Sequence, residues 1–254
     1  NSGDAEKNFI LSIYPDKKNH RILAGTSGNG IFIFDTLQQL VKQITFANSN
    51  GISISPNCII KNNAGEYIIF AAGEKQAWKL SSDLSRISTI PISTSLPVNK
   101  SGTSFFGNFL FQNDQEAIIQ TQERLYRVNF TINTINEHLV TSGYIMGGLY
   151  YNSFIITHGN DELIFLDAAT FKEVKKIPFK NTGDGLQENE FNTNVVAKSG
   201  DGELFFGGVN GLNSFYPSAI GSFEEKLNVL FTRIKANNED VLKDTAAWNI
   251  TSIK

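Results

Sequence analysis

Only one cysteine, Cys58, occurs among the 254 residues, so the chain can form neither an internal disulfide nor a cysteine-rich metal site. Methionine is equally scarce: Met146 is the single one, and it is internal. The chain opens at Asn1 without an initiator Met or a signal-like apolar stretch, and is expected to be a processed product or a piece of something longer. Charge is thin as well. Charged residues make up 19%, below the roughly 25% of ordinary domains. Lys and Arg number 22 against 25 Asp and Glu, a formal net charge of −3 with no long block of one sign. Nucleic-acid binding through a basic face is therefore not expected. Long apolar runs are missing too. The run from Tyr67 to Ala72 is far short of the roughly 20 residues that cross a bilayer, so no membrane segment is expected within the chain. What is present is 41% hydrophobic residues with 20 Phe. That excludes a disordered chain, and the length can bury a full core.

The apolar pattern is short and strand-like. Ile31–Phe34, Tyr67–Phe70, Ala117–Ile119, Phe154–Ile156 and Glu203–Phe206 are β-branched and aromatic runs bounded by Gly, Asn and Asp, which favour pleated strands between turns. The best helical spacing, Thr36 to Lys42, is too short for a helix and reads as a loop. An all-β fold follows.

One unit recurs along the chain. It reads RILAGTSGNGIFIFD at 21–35, EYIIFAAGEKQAWKL at 66–80, EAIIQTQERLYRV at 116–128, SFIITHGNDELIFLD at 153–167 and GELFFGGVNGLNSFYP at 202–217. With Leu23, Ile68, Ile118, Ile155 and Leu204 taken as equivalent, the spacings are 45, 50, 37 and 49 residues. Their mean is close to one four-stranded propeller blade. Outer strands are expected at Phe9–Tyr14, Lys42–Phe46 and Phe171–Pro178. A lone blade exposes two apolar faces, and radial stacking buries both. A sandwich of similar strand count is the alternative, and the regular hairpin recurrence argues against it. The sequence thus predicts a β-propeller of four-stranded blades over 1–221, with five blades visible and a larger ring expected. A linker and the first strands of a second, β-sandwich-like module follow over 222–254, with a turn at Asn237-Asn238.

Motifs that carry chemistry are few. Gly25-Thr-Ser-Gly-Asn-Gly30 lacks the Lys-Ser/Thr and the following helix of a phosphate cradle; it reads as a hairpin turn whose Gly and Asn supply positive φ. Asn210-Gly211 and Asp201-Gly202 read the same way. His20, His138 and His158 lie in different repeats without ligand spacing, and His158-Gly-Asn-Asp161 reads as a solvated turn. Cys58, within Asn57–Ile60, reads as a small buried hydrophobe. Glu188/Glu190 and Asp161/Glu162 are paired carboxylates on expected loops, where solvation is their ordinary use. No nucleophile elbow occurs, nor the boxes and arginine cluster of propeller sialidases; the arginines are Arg21, Arg86, Arg124, Arg127 and Arg233. Tyr144, Tyr150, Tyr151, Trp78, Phe105 and Phe106 could stack on sugar rings, although filling the wedge between blades is the commoner use of such aromatics. No catalytic residue, metal or cofactor is expected, and no ligand contact is assigned.

The stretch Asp184–Asn192 followed by Ser199–Pro217, read as DGLQENEFN and SGDGELFFGGVNGLNSFYP, resembles the last propeller repeat of the two-component-regulator propeller family. LNVLFTRIKANNEDV at 227–241 resembles the first strands of the Y_Y_Y module that follows such propellers, and 20–35 resembles the family's first repeat. In the middle repeats Ala77-Trp78 replaces the usual Gly-Leu, and Gln120–Glu123 lacks the Gly-Thr. The resemblance implies the periplasmic sensor part of a Bacteroidetes hybrid histidine kinase. That part would lack catalysis of its own, take an oligosaccharide and act as a homodimer through the Y_Y_Y module. The alternatives are a secreted propeller lyase or glycosidase acting on polysaccharide, and a protein-binding scaffold.

Overall fold

The computed structural model describes residues 9–71, 73–94, 107–121, 124–139, 145–159, 162–178, 191–209, 211–219, 235–236 and 239–240. Each apolar run between turn formers becomes a strand. The first blade is β1 (Ile10–Asp16), β2 (Arg21–Thr26), β3 (Gly30–Asp35) and β4 (Leu40–Ile44), an antiparallel sheet in sequence order. The second holds β5 (Pro56–Lys61), β6 (Tyr67–Ala71), β7 (Gln76–Leu80) and β8 (Ile87–Thr94). The third holds β9 (Asn108–Gln112), β10 (Glu116–Gln120), β11 (Arg124–Asn129) and β12 (Thr134–Leu139). The fourth holds β13 (Gly147–Tyr151), β14 (Phe154–His158), β15 (Glu162–Asp167) and β16 (Glu173–Pro178). Three strands of the fifth are described: β17 (Phe191–Lys198), β18 (Leu204–Gly208) and β19 (Gly211–Phe215).

The first strand of each blade is innermost: β1 packs beside β5, β5 beside β9, β9 beside β13 and β13 beside β17. This is a β-propeller. All five hairpins of the repeat are present at the expected places. The strand expected on the outside at Phe9–Tyr14 is instead the innermost, β1, and two outer details differ as well. The strand expected at Lys42–Phe46 runs from Leu40 to Ile44, so its start overlaps the segment read as a loop. In addition, the outer strands β8 and β12 pair in parallel, Ile92 opposite Ile135 and Thr94 opposite Glu137, joining the second and third blades into one eight-stranded sheet. Each of these outer edges thereby gains the ladder partner it would otherwise lack.

The cores lie between blades. Leu23, Ile31, Ile33 and Ile44 of the first blade meet Ile59, Tyr67, Ile69, Trp78 and Leu80 of the second. Ile60, Ile68 and Phe70 meet Ala117, Ile119 and Val128 of the third, and Ile118 and Leu125 meet Ile155, Ile164 and Leu166 of the fourth. The repeat equivalence therefore slips by one residue. Leu23, Ile68 and Ile118 face the following blade, whereas Ile155 and Leu204 face the preceding one. Their counterparts are Ile156 and Phe205, because neighbouring residues of a strand point to opposite faces.

Glycine and polar ties set the spacing of the blades. The hairpin after β2 takes positive φ at Gly28 (85°) and Gly30 (76°), while Asn29 does not share it. Ser12 Oγ donates to the Pro56 carbonyl at 3.0 Å, binding inner strand to inner strand. Arg127 donates to the carbonyl oxygens of Ala168 and Ala169 and lies 4.6 Å over the Phe171 ring, tying the third blade to the fourth.

The chain divides into two compact units, Asn1–Pro217 and Ser218–Lys254. In the second unit, β20 (Lys235–Ala236) and β21 (Glu239–Asp240) pair antiparallel, and Asn237 and Asn238, where a turn is expected, lie outside the described residues. The strand expected over 227–234 lies outside the described residues.

Candidate functional site

The two ends of the blade stack differ in how the chain connects there. At one end the inner strands turn back through short links: 17–20, 62–66, 113–115, 152–153 and 199–203. At the other, the first blade passes to the second through 45–55, while most of the residues between the later blades lie outside the described ones. Long connections on a rigid scaffold are where binding residues concentrate. Most of the buried polar residues lie at or beside strand ends there, among them Thr26, Asn57, Gln120, Thr121, Thr157 and His158, whereas Asp16 and Asn62 lie at the opposite end.

Gly147 and Gly148 of β13 form the middle of this collar. Thr157 Oγ1 donates to the Gly147 carbonyl at 2.6 Å, and Asn108 Nδ2 donates to the Gly148 carbonyl at 3.1 Å. Gln120 Nε2 reaches Thr157 Oγ1 at 3.3 Å. A Cβ at Gly147 would sit 2.9 Å from the backbone nitrogen of Asn194 on the fifth blade, and one at Gly148 would sit 2.5 Å from Gln120 Oε1 on the third. The paired glycines therefore let the third and fifth blades close on the innermost strand of the fourth. Among the described residues Gln120 Oε1 and both ring nitrogens of His158 are buried without a hydrogen-bond partner.

His158 is a correction to the sequence reading. It is not in a solvated turn but is 0% exposed, edge-on to Phe191 at 5.3 Å and to Phe206 at 6.0 Å. The cause is alternation: His158 ends β14 with its ring toward the fifth blade, whose Phe residues cover it. Burial pushes its pKa down to about 4, so the ring is neutral at neutral pH. It can donate from one nitrogen and accept at the other, but it is a poor proton carrier. Asp161 lies outside the described residues.

The other chemistry-bearing residues do not converge. His20 is exposed, with φ 52° after the Lys17–Asn19 turn. His138 stands edge-on to Phe171 at 4.8 Å, its pKa lowered by burial and by Arg127. Cys58 is buried and its thiol is pushed up to about 12 by desolvation, which leaves it inert at neutral pH. Glu162 is paired with Lys176 at 3.1 Å, while Glu188 and Glu190 lie outside the described residues. Among the described residues no group of three His, Cys, Asp or Glu could hold a metal ion, and no helix is long and apolar enough to cross a membrane.

Of the aromatics, Trp78 is 3% exposed and edge-on to Phe46 between the first two blades. Tyr150 stacks on Phe111 at 4.3 Å between the third and fourth. Both fill wedges. Tyr151 is half-buried beneath Lys198 Nζ at 5.9 Å. Tyr144, Phe105 and Phe106 lie outside the described residues. Sequence reasoning missed Asn108, Gln120 and Thr157, single polar residues at strand ends with no pattern to mark them. The Gly147-Gly148 pair was the readable signal, since adjacent glycines in a strand mark a close approach.

Neither a family model nor a curated protein matches the chain. Solved structures do. The extracellular domain of a hybrid two-component system from B. thetaiotaomicron is similar over 92% of this chain, with TM-score 0.60 and 15% identity. This chain spans 31% of that one. Virginiamycin B lyase from Staphylococcus aureus is similar over 85% of this chain and 72% of its own, with TM-score 0.56 and 11% identity. The β-propeller domain of Swd1 from Myceliophteria thermophila is similar over 86% of this chain and 69% of its own, with TM-score 0.54 and 10% identity. At these identities the likeness is one of fold, and the fold is the β-propeller.

Proposed function

We propose that the chain is an extracytoplasmic ligand-sensing domain of a two-component signalling protein, that it binds an oligosaccharide, and that it has no catalysis of its own. One observation carries the reading. The likeness to the extracellular domain of a hybrid two-component system extends over 92% of the chain and coincides with the family resemblance of 184–217. The tightly packed blades support it physically, since a stiff platform transmits a bound ligand's preference instead of absorbing it. In this reading the protein is periplasmic, the module over 222–254 carries homodimer contacts, and a kinase lies beyond the membrane. Driving such a switch from about 1:99 to 99:1 takes roughly 5.5 kcal/mol of differential affinity. That asks for several enclosed contacts, which the end around Asn108, Gln120, Thr157 and His158 offers better than the opposite end of tight turns.

The test is calorimetric titration with a panel of plant, host-glycan and microbial oligosaccharides, followed by chromatography of the mixtures. The expected result is saturable heat from one class and no new sugar product after prolonged incubation. The second reading, a propeller lyase or glycosidase, is favoured by the likeness to virginiamycin B lyase over 85% of the chain. New reducing or unsaturated ends in the chromatogram would establish it and overturn the first.

A further inference from the structure

The innermost strands keep their charge at one end. Along β1, β5, β9, β13 and β17 the charged residues are Asp16, Lys61 and Lys198, and each is the last residue of its strand. The last residues lie at the end of tight turns. At the opposite end, where every inner strand begins, the described residues of this innermost layer include no carboxylate, ammonium or guanidinium, and the connection 45–55 includes none either.

What stands there instead is carboxamide. Asn108, the first residue of β9, donates from Nδ2 to the Gly148 carbonyl at 3.1 Å, which leaves its Oδ1 as an acceptor. From the other side of the same strand, the backbone N–H of Asn194 donates to the Met146 carbonyl at 2.8 Å. Asn194 has φ 58° and lies where β17 departs from its ladder between Phe191 and Val196, and both it and Asn192 are exposed. Asparagines of the third and fifth blades therefore flank the start of the innermost strand of the fourth.

One open aromatic ring accompanies them. Phe109 follows Asn108 on β9 and is 48% exposed, although its ladder partner Ile119, in the core shared with the second blade, is fully buried. No strand lies inside β9, so the open part of the ring borders the space that the inner strands surround. Among the described residues of the five inner strands, the other aromatics are half-buried or buried. An open ring beside neutral carboxamides suits a pyranose. The C–H groups of one sugar face stack on the ring, and a carboxamide offers hydroxyls a donor and an acceptor together. A carboxylated or sulfated sugar would surrender the hydration of its charge here with no cation to receive it.

We infer that this end of the inner strands takes an uncharged oligosaccharide, with Phe109 as the stacking platform and Asn108 and Asn194 reading hydroxyls, and that it rejects uronate-containing and sulfated glycans. Rejection comes from the missing countercharge, not from a clash. This rests on the ligand reading above and narrows it to one chemical class.

The test is calorimetric titration of the 254-residue chain with tetrasaccharides of both kinds. Galactotetraose, xylotetraose, mannotetraose and chitotetraose are the neutral probes; tetragalacturonate and the hyaluronan and heparin tetrasaccharides are the acidic ones. Saturable binding is expected from a neutral probe alone, with a dissociation constant that does not change between about 50 and 500 mM salt, since no exposed charge pair is there to be screened. Phe109→Leu keeps the apolar bulk but loses the flat ring, and is expected to weaken that binding about tenfold. Asn194→Gly accommodates the positive φ while removing the carboxamide, and should weaken it about fivefold. Tyr216→Leu alters an exposed ring at the opposite end and should leave the affinity as it is. Thermal midpoints matching the parent verify that each variant is folded. Binding confined to acidic probes overturns the inference and leaves the ligand reading standing, as does a neutral ligand whose affinity is untouched by Phe109→Leu. Silence of neutral and acidic probes alike overturns both.

Discussion

Lys61 Nζ on the second blade donates to both carboxylate oxygens of Asp16 on the first, at 2.9 and 2.8 Å. The Asp16 side chain is only 2% exposed, and the same carboxylate also accepts from the Tyr67 hydroxyl, from Asn19 Nδ2 at 2.7 Å and from Arg21 Nε at 3.4 Å. Burial pulls its pKa upward, but the hydrogen bonds from Lys61, Tyr67 and Asn19 and the Lys61 charge outweigh it and hold the carboxyl well below the usual range. Removing one partner leaves buried charge uncompensated. Asp16→Ala is therefore expected to cost about 3–5 kcal/mol at pH 7, read as a shift in the urea midpoint. Because the folded pKa is depressed, this contribution is fully present above the unfolded value near 4 and is lost as pH falls below it. The gap between variant and parent should close toward pH 2, and a gap constant in pH would contradict the role.

His158 works in the opposite part of the acid range. Its folded pKa of about 4 lies below the ordinary 6.5, so between those values the unfolded chain takes up a proton that the folded one refuses. Stability therefore falls as pH drops through that window. Linkage gives about 2 kcal/mol lost between pH 7.5 and 5. His158→Leu keeps an apolar filler against Phe191 and Phe206 and removes the proton, so its stability should change far less over the same interval. Urea titrations at the two pH values decide it. A variant as pH-sensitive as the parent would show that another group carries the effect.

The fold was legible because hairpins are local. Arg21–Asp35 and Phe154–Asp167 announce strand, turn and strand by β-branched runs around Gly or Asn, and the recurrence of that unit carries the architecture. The facing of the strands was not legible. Blades in the middle of a stack bury both sides, so Tyr67–Phe70 and Phe154–Ile156 read as unbroken apolar runs with no alternation to say which residue looks forward. That is why Ile155 was matched to Ile118 while its neighbour Ile156 occupies the equivalent place. His158 was misread for the same reason. A histidine followed by Gly159 and Asn160 looks like a turn, and only the arrival of Phe191 and Phe206, more than thirty residues downstream in the sequence, encloses it. The parallel pairing of β8 with β12 has no sequence sign, since it joins residues 43 apart (Ile92 and Ile135) through backbone groups alone.

Two glycines with nearly the same backbone separate strain from space. Gly30 and Gly51 have φ of 76° and 74°. A Cβ at Gly51 meets nothing within 4 Å, whereas one at Gly30 would collide with the carbonyl oxygen of Ile44 and lie 2.9 Å from the Thr45 Cα. Gly51→Ala should thus cost only the left-handed penalty, about 1–2 kcal/mol. Gly30→Ala adds a backbone clash at the β3–β4 pairing and should cost at least about 1 kcal/mol more, comparable to overpacking a core. Thermal midpoints of the two variants rank them, and equal midpoints would mean that β4 moves aside freely.

The stacked pair Phe111 and Tyr150 distinguishes wedge filling from sugar binding. Their centroids are 4.3 Å apart with rings inclined by 26°, and both side chains are half-buried beside Ile118 and Ile155 in the interface of the third and fourth blades. A ring already covered on one face by another ring has that face closed to a sugar. Tyr150→Ala should therefore act on stability, by about 2–4 kcal/mol as for other large aromatic truncations at partly open sites. Affinity for any oligosaccharide found by titration should change less than about twofold, a difference below 0.5 kcal/mol. The measurement is the dissociation constant of variant and parent at a temperature where both are folded. A tenfold loss of affinity with an unchanged thermal midpoint would move Tyr150 out of the wedge and into the binding surface.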